Sequence, residues 1–396
     1  MIRHLITLLW NSRRKFIGII VEQALVFIVL TICMVTLFDM IRQYREPGLL
    51  DTENVVLFGF MADQTMARDK EKCREINQAV DACIGNMRQW DNVESTSESL
   101  SLVPYLREPG FYHTDSVMIS GNKFQAEVKF ADIDAQQVFN IEMEEGEWLP
   151  TLPNRARPAV ITRKLADQVG SNYNLIGAQF SDKRNITYTI TGIVSGIKES
   201  VFAPSGPGVI IPKEKTAYNA FSRYREICAR VKPGQVEEFC NASYLEFQRL
   251  VPYFNEIEFI IRDMGIFKAK NMFPATSRLK LLFIPTLFLL IFAFIGTLGL
   301  LMLNVKKRAQ EFGIHRAVGA SSIQLLWWMV VQSLLLTLIA SIPGIILSFF
   351  IFSVTATHLL AILTAVGAML VFSLVSAYYP AWQITKINPA VVLHQE

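Results

Sequence analysis

Between Ala317 and Thr385 the sequence contains no Asp, Glu, Lys or Arg. No water-facing surface of that length does without charge, so the stretch must lie in lipid or protein. The sequence also lacks the signatures of common catalytic chemistry. It has no Gly-x-x-x-x-Gly-Lys-Ser/Thr loop for nucleotide phosphates, no Gly-x-Ser-x-Gly elbow and no His-Glu-x-x-His zinc helix. Hydrolysis of ATP by the chain itself is not expected. Cysteine is scarce, five in 396 residues, and no Cys/His spacing resembles a metal site. The formal charge of +3 is too small to suggest a nucleic-acid partner.

What the sequence does hold is apolar length. At a rise of about 1.5 Å per residue, roughly 20 apolar residues cross a bilayer core. The uncharged stretch therefore holds two spans, 323–353 and 359–379. Two more precede it, at 16–38 and 279–304. Lys and Arg near span ends are retained on the cytoplasmic side. Arg13, Arg14 and Lys15 before the first span, Lys306, Lys307, Arg308 and Arg316 between the second and third, and Lys386 after the fourth all place their segments there. The region 39–278 is then extracytoplasmic, and both termini are cytoplasmic. The first span ends in TLFDMIRQYR without a small-x-small cleavage site, which predicts an uncleaved signal anchor. In residues 1–15, Ile2, Leu5, Ile6 and Leu9 share one helical face beside a basic cluster, which fits a helix lying in the cytoplasmic interface.

The extracytoplasmic region contains an internal echo. A strand at 54–60, an amphipathic helix over 69–90 and β character from Val93 make one strand-helix-strand half, 50–111. A strand at 226–231, a helix to about Leu250 and a strand at 256–261 make another, 206–265. Such halves pack side by side as one α+β unit. Between them, 112–205 reads as an inserted lobe. Cys73 falls in helical register with Ile76, Val80, Cys83 and Met87, and Cys240 with Val236, Ser243 and Phe247, so these cysteines are expected in cores. The acidic run Glu142, Glu144, Glu145 and Glu147 reads as a solvated loop. Glu22, inside the first span, is either functional or snorkels to the headgroups.

The segment 305–322 carries the clearest functional signal. Ala309–Val318 is predicted to form a short helix ending at Gly319, a residue suited to a left-handed cap. Ser321 and Gln324 then supply a Ser-x-x-Gln capping box for the third span. On the short helix, Phe312, His315, Arg316 and Gly319 recur at helical spacing, with Glu311 and Ile314 on a neighbouring face. Exposed Phe312 and Ile314 on a charged helix suggest docking into another protein's cleft; a helix resting on lipid is the alternative.

KKRAQEFGIHRAVGAS resembles the R-x-x-E-[IF]-G-I-x-[RK]-A-[LVI]-G-A-S pattern of the FtsX/MacB-like permeases of ABC transporters. The closing YYPAWQITKINPAVVLHQE and the external ADIDAQQVFNIEMEEGEWLP, AVITRKLADQVG, LIGAQF and YTITGIV are similar to other segments of that family. The resemblance implies a membrane protein of four transmembrane helices with a large α+β extracytoplasmic domain inserted between helices 1 and 2. It implies a non-catalytic permease of the bacterial inner membrane, working as a homo- or heterodimer with a separate P-loop ATPase. ATP and Mg²⁺ would act through that partner, with no cofactor bound directly. Arg308, Glu311, Phe312, Gly313, Ile314, Arg316, Ala317 and Gly319 would form the coupling element, and 380–396 a cytoplasmic tail. The family exports peptides and small molecules through an adaptor and outer-membrane duct, handles lipoproteins, or activates cell-wall hydrolases. A membrane-anchored sensor or regulator without transport is the second reading.

Overall fold

The computed structural model describes residues 13–385 except 63, 107–112, 120, 154–155, 171–174, 214–224, 308–313 and 315–317. The interfacial helix expected in residues 1–12 lies outside it. The chain divides into a membrane unit, 1–42 with 276–396, and a second unit, 43–275.

The membrane unit is built from four helices long and apolar enough to cross a bilayer: Arg13–Arg45, Met264–Lys307, Ser322–Ile351 and Ala356–Thr385. Their apolar residues point in every direction, as expected where lipid replaces water on the outer surface and each helix satisfies its own backbone. The second is longer than the span at 279–304 because its first turns belong to the extramembrane unit. The fourth runs on through Pro380 to Thr385, so the first residues assigned to the C-terminal tail are helical. Small residues set the packing. Ala361, Ala365, Ser373 and Ala377 are fully buried within the chain, whereas Ala368 is exposed. A Cβ at Gly344 would come 2.5 Å from the Phe27 ring, so the third helix meets the first at that glycine.

Inside the bundle runs a polar ladder. Gln23 on the first helix donates from Nε2 to Thr297 Oγ1 on the second (3.4 Å) and accepts from Thr337 Oγ1 on the third (3.0 Å). Ser333 of the third helix and Ser373 of the fourth share a hydrogen bond of 2.8 Å. Each such bond in lipid contributes about 0.6–2 kcal/mol, and together they fix which helix faces which.

The second unit is one β-sheet of strands β1 (Val55–Ala62), β2 (Val93–Leu100), β3 (His113–Ile119), β4 (Asn122–Ala131), β5 (Met143–Gly146), β6 (Arg157–Thr162), β7 (Gln179–Ser181), β8 (Thr187–Val194), β9 (Gly208–Pro212), β10 (Glu226–Val231) and β11 (Ile257–Asp263). Its order is β11-β1-β10-β2-β4-β3-β7-β8-β6-β9, with β5 added on β8. The two strand-helix-strand halves interleave as β11-β1-β10-β2, all antiparallel. Alternation sends Val56, Phe58 and Phe60 to one face, where the helices Lys70–Met87 and Val236–Leu250 bury Ile76, Val80, Cys83, Phe239 and Phe247 against them. Each buried aromatic or aliphatic side chain here contributes about 1.5–3 kcal/mol. Asp69 caps the first of these helices by accepting from the amides of Glu71 and Lys72. Cys73 and Cys83 are buried on its inner face, and all five cysteines remain thiols. In the second helix the buried stripe is Phe239, Ser243 and Phe247, with Cys240 only half-buried.

The remaining strands close into a barrel, because β9 pairs with β4 in parallel as well as with β6. This corrects the lobe boundary at 205: Gly208–Pro212, assigned from sequence to the second half, is the barrel's closing strand. Its Gly-Val-Ile-Ile run is buried on both faces and so shows no alternation to read. Closure leaves no free edge between β4 and β9. Among the described residues, sheet pairing between barrel and interleaved half is limited to Ser99 with Ala131 and Leu100 with Phe130.

Candidate functional site

The described part of the second membrane helix runs to Lys306 and Lys307, both exposed. Just before them, Leu301 and Val305 are buried with Leu325, Met329, Val330, Ala377 and Ala381 of the third and fourth helices. The base of the loop is therefore held by a packed apolar cluster.

The third helix begins with the expected capping box. Ser321 Oγ accepts from Gln324 N at 3.2 Å, and Gln324 Oε1 accepts from Ser321 N at 3.0 Å. Two orphan amides are thus satisfied, which contributes about 1 kcal/mol and sets the direction of chain entry. Gly319 has φ +102°, in the region that favours glycine, so the break between loop and helix sits where the residue type allows it. Upstream, Val318 N donates to Ile314 O at 3.0 Å. Ile314 is 52% exposed and Val318 is 83% exposed.

Of the residues proposed for coupling, Ile314 and Gly319 are therefore placed; Arg308, Glu311, Phe312, Gly313, Arg316 and Ala317 lie outside the described residues. The placed portion presents two apolar side chains beside a fixed helix start. Apolar groups held out in this way gain by burial in a partner.

Two other features flagged in the sequence have structural explanations. In the acidic run, Glu144 and Glu145 each accept from Arg163 at 2.6 Å, forming exposed ion pairs worth at most about 1 kcal/mol apiece. Glu22 lies against Gly296, where a Cβ would come within 2.8 Å of its Oε1, so the glycine makes room for the carboxylate.

Sequence reasoning missed the polar ladder of Gln23, Thr297, Thr337, Ser333 and Ser373. Ser and Thr are common in membrane helices, and only Gln23, a lone amide in an apolar run, offered a signal. It also missed the ion network around Arg225 in β10's approach. Arg225 donates to Glu98 on β2 (2.7 and 3.0 Å), to Asp81 (2.6 Å) and to Asn77 (3.1 Å) on the Lys70–Met87 helix. Lys213, just past β9, also bonds Glu98. Barrel, sheet and helix meet at that carboxylate.

The description FtsX-like permease C-terminal matches residues 283–389, and MacB-like periplasmic core domain matches residues 28–239, more than half the chain. The macrolide export ATP-binding/permease protein MacB of Syntrophobacter fumaroxidans is 31% identical over 147 residues, 35% of this chain and 21% of that protein. The pyoverdine export ATP-binding/permease protein PvdT of Pseudomonas fluorescens is 22% identical over 278 residues, 67% of this chain and 42% of that protein. The chain spans less than half the length of these relatives. The crystal structure of the periplasmic region of MacB from Actinobacillus actinomycetemcomitans aligns with a TM-score of 0.36 at 10% identity, over 56% of this chain and 94% of that one. With an FtsX-like region on its last three membrane helices and a MacB-like core domain before them, the chain belongs to the FtsX/MacB-like permease family of multi-pass inner-membrane transport proteins.

Proposed function

We propose that the chain is the permease subunit of an ABC exporter whose ATPase is a separate polypeptide. ATP binding and hydrolysis in that partner would act on the 305–322 loop. The first and second helices would pass the movement to the extracytoplasmic domain, with no tunnel through the membrane. The observation that carries this reading is the loop itself: Ile314 and Val318 exposed beside the Ser321 capping box, on a base packed between three membrane helices. The sequence given holds no phosphate-binding loop, which supports a nucleotide site on a partner. Relatives named for macrolide and pyoverdine export favour peptides or small molecules as cargo, with lipoprotein handling as the related possibility and an adaptor and outer-membrane duct as further partners.

The reading requires the loop to be cytoplasmic. A single cysteine introduced at Ser321 should resist membrane-impermeant thiol reagents in intact cells, whereas one at Lys183 should react. Labelling of Ser321→Cys from outside would invert the topology. It also requires pairing, because four membrane helices are found among the described residues of one chain. Native mass measurement of the detergent-extracted protein should give two permeases with two ATPases. A monomer with no nucleotide-binding partner would favour the sensor or regulator reading.

A further inference from the structure

The last turn of the first membrane helix has a partner. It ends on a buried lysine. Lys198, in the segment after β8, is 1% exposed, and its ammonium donates to Gln43 O (2.5 Å), Glu46 O (3.3 Å) and Val201 O (2.9 Å). All three of its hydrogens are used, one of them on Gln43 O in the last turn of the helix, a carbonyl that also accepts from Glu46 N at 3.3 Å. A cation at this position also complements the helix dipole.

Around Lys198 the same two segments are joined again. Its own amide donates to Gly48 O at 2.9 Å. Lys164, on the barrel helix Arg163–Val169, pairs with Glu46 Oε1 at 2.5 Å and donates to Ser205 O at 2.6 Å. Gly48 has φ +105°, and a Cβ there would lie 2.6 Å from the Gly196 carbonyl carbon, so the two backbones touch where no side chain fits. Gly196 in turn presses on Ser205, where a Cβ would fall 2.4 Å from Oγ. Tyr44 and Phe202 cover the outside, with ring centroids 6.3 Å apart.

The second membrane helix is anchored by its own start. It continues directly from β11, is capped by Asp263, whose Oδ1 accepts from Gly265 N at 2.8 Å, and buries Met264 in the core beside Leu57 of β1 and Cys228 of β10.

We infer that Lys198, supported by Lys164 and the Gly48–Gly196 contact, is a positioning clasp that makes the end of the first membrane helix and the barrel one mechanical piece, so that displacement of that helix is delivered to the barrel. This rests on the permease reading above and adds to it the residues through which force enters the domain. Loss of the ammonium removes all three hydrogen bonds, the buried one to Val201 O included, and frees the helix end, without emptying a cavity if the aliphatic stem is kept.

The test uses the full chain in lipid nanodiscs, with and without its co-purified ATPase. In Lys198→Met, amide exchange at residues 44–49 and 196–206 should rise roughly tenfold or more, while β1 and β10 stay protected. Lys164→Met, which removes only the half-exposed partner, should give a smaller rise in the same segments and covers the case in which Lys198→Met fails to fold. With ATPase bound, ATP plus vanadate should change exchange in β6 and β8 of the wild type. Lys198→Met should keep the ATPase and its turnover but lose that barrel response. Unchanged exchange at 44–49 in both variants, or a barrel response that persists in Lys198→Met, would overturn the clasp. Failure of any ATPase to co-purify counts against the permease reading and leaves the exchange comparison between variants to decide the clasp itself.

Discussion

Replacement of Arg225 by Met should lower the stability of the extracytoplasmic domain by about 3 kcal/mol, the low end of what removing one partner of a buried ion pair costs. The guanidinium is only 6% exposed and bonds Glu98, Asp81 and Asn77 at once. Methionine preserves the apolar stem but leaves Glu98 with Lys213 alone to offset it. Asp81 is 37% exposed and Glu98 27%, so water recovers part of the loss, which is why the upper end is not expected. Urea unfolding followed by the fluorescence of Trp90 and Trp148 would measure the change, and a loss under 1 kcal/mol would show the network to be dispensable.

The same network predicts an acid response. Burial alone would raise the Glu98 carboxyl, but the hydrogen bonds and charge of Arg225, then of Lys213, outweigh it and hold the group below the ordinary carboxylate range. A carboxyl whose folded value lies below its unfolded value contributes stability above the unfolded value, and that contribution is lost as pH falls through the folded one. Wild-type protein should therefore weaken below about pH 4 more steeply than Arg225→Met. Asp132 acts in the opposite direction. Burial, with the neighbouring Asp134 adding to it and backbone amides only partly offsetting it, pushes its carboxyl up to about 6. Its penalty grows as pH climbs from about 4 to that value and is complete at neutrality.

The sequence exposed those parts of the molecule that a single physical constraint dictates. An uncharged stretch from Ala317 to Thr385 leaves a bilayer as its only plausible surroundings, and Ser321 with Gln324 encodes its own cap. The Cys73, Ile76, Val80, Cys83 register shows because helical spacing repeats locally. Long-range relations left no such trace. That β10 inserts between β1 and β2, and that β9 returns to β4, depends on pairings between segments far apart in the chain, with no local mark of partner or register. Arg225 and Lys198 are two cations among 38, and nothing beside either in sequence says that it is buried. The residues proposed for coupling were named through the family pattern, because a docking surface would be completed by another protein and leaves little mark of its own in one chain.

The largest functional effect is expected from Glu311→Lys. By sequence, Glu311 falls in the polar 305–322 segment between two apolar spans, so the reversal is expected to strand no charge in lipid and to open no cavity. Reversing one charged contact at a protein interface costs on the order of 2–5 kcal/mol, roughly thirtyfold or more in affinity. The most direct measurement is co-purification of the partner ATPase with Glu311→Lys, together with permease-stimulated ATP turnover, in a variant that inserts and accumulates normally. Loss of both is the expected result. Wild-type recovery and wild-type turnover would show that the 305–322 loop is not where the ATPase engages this permease.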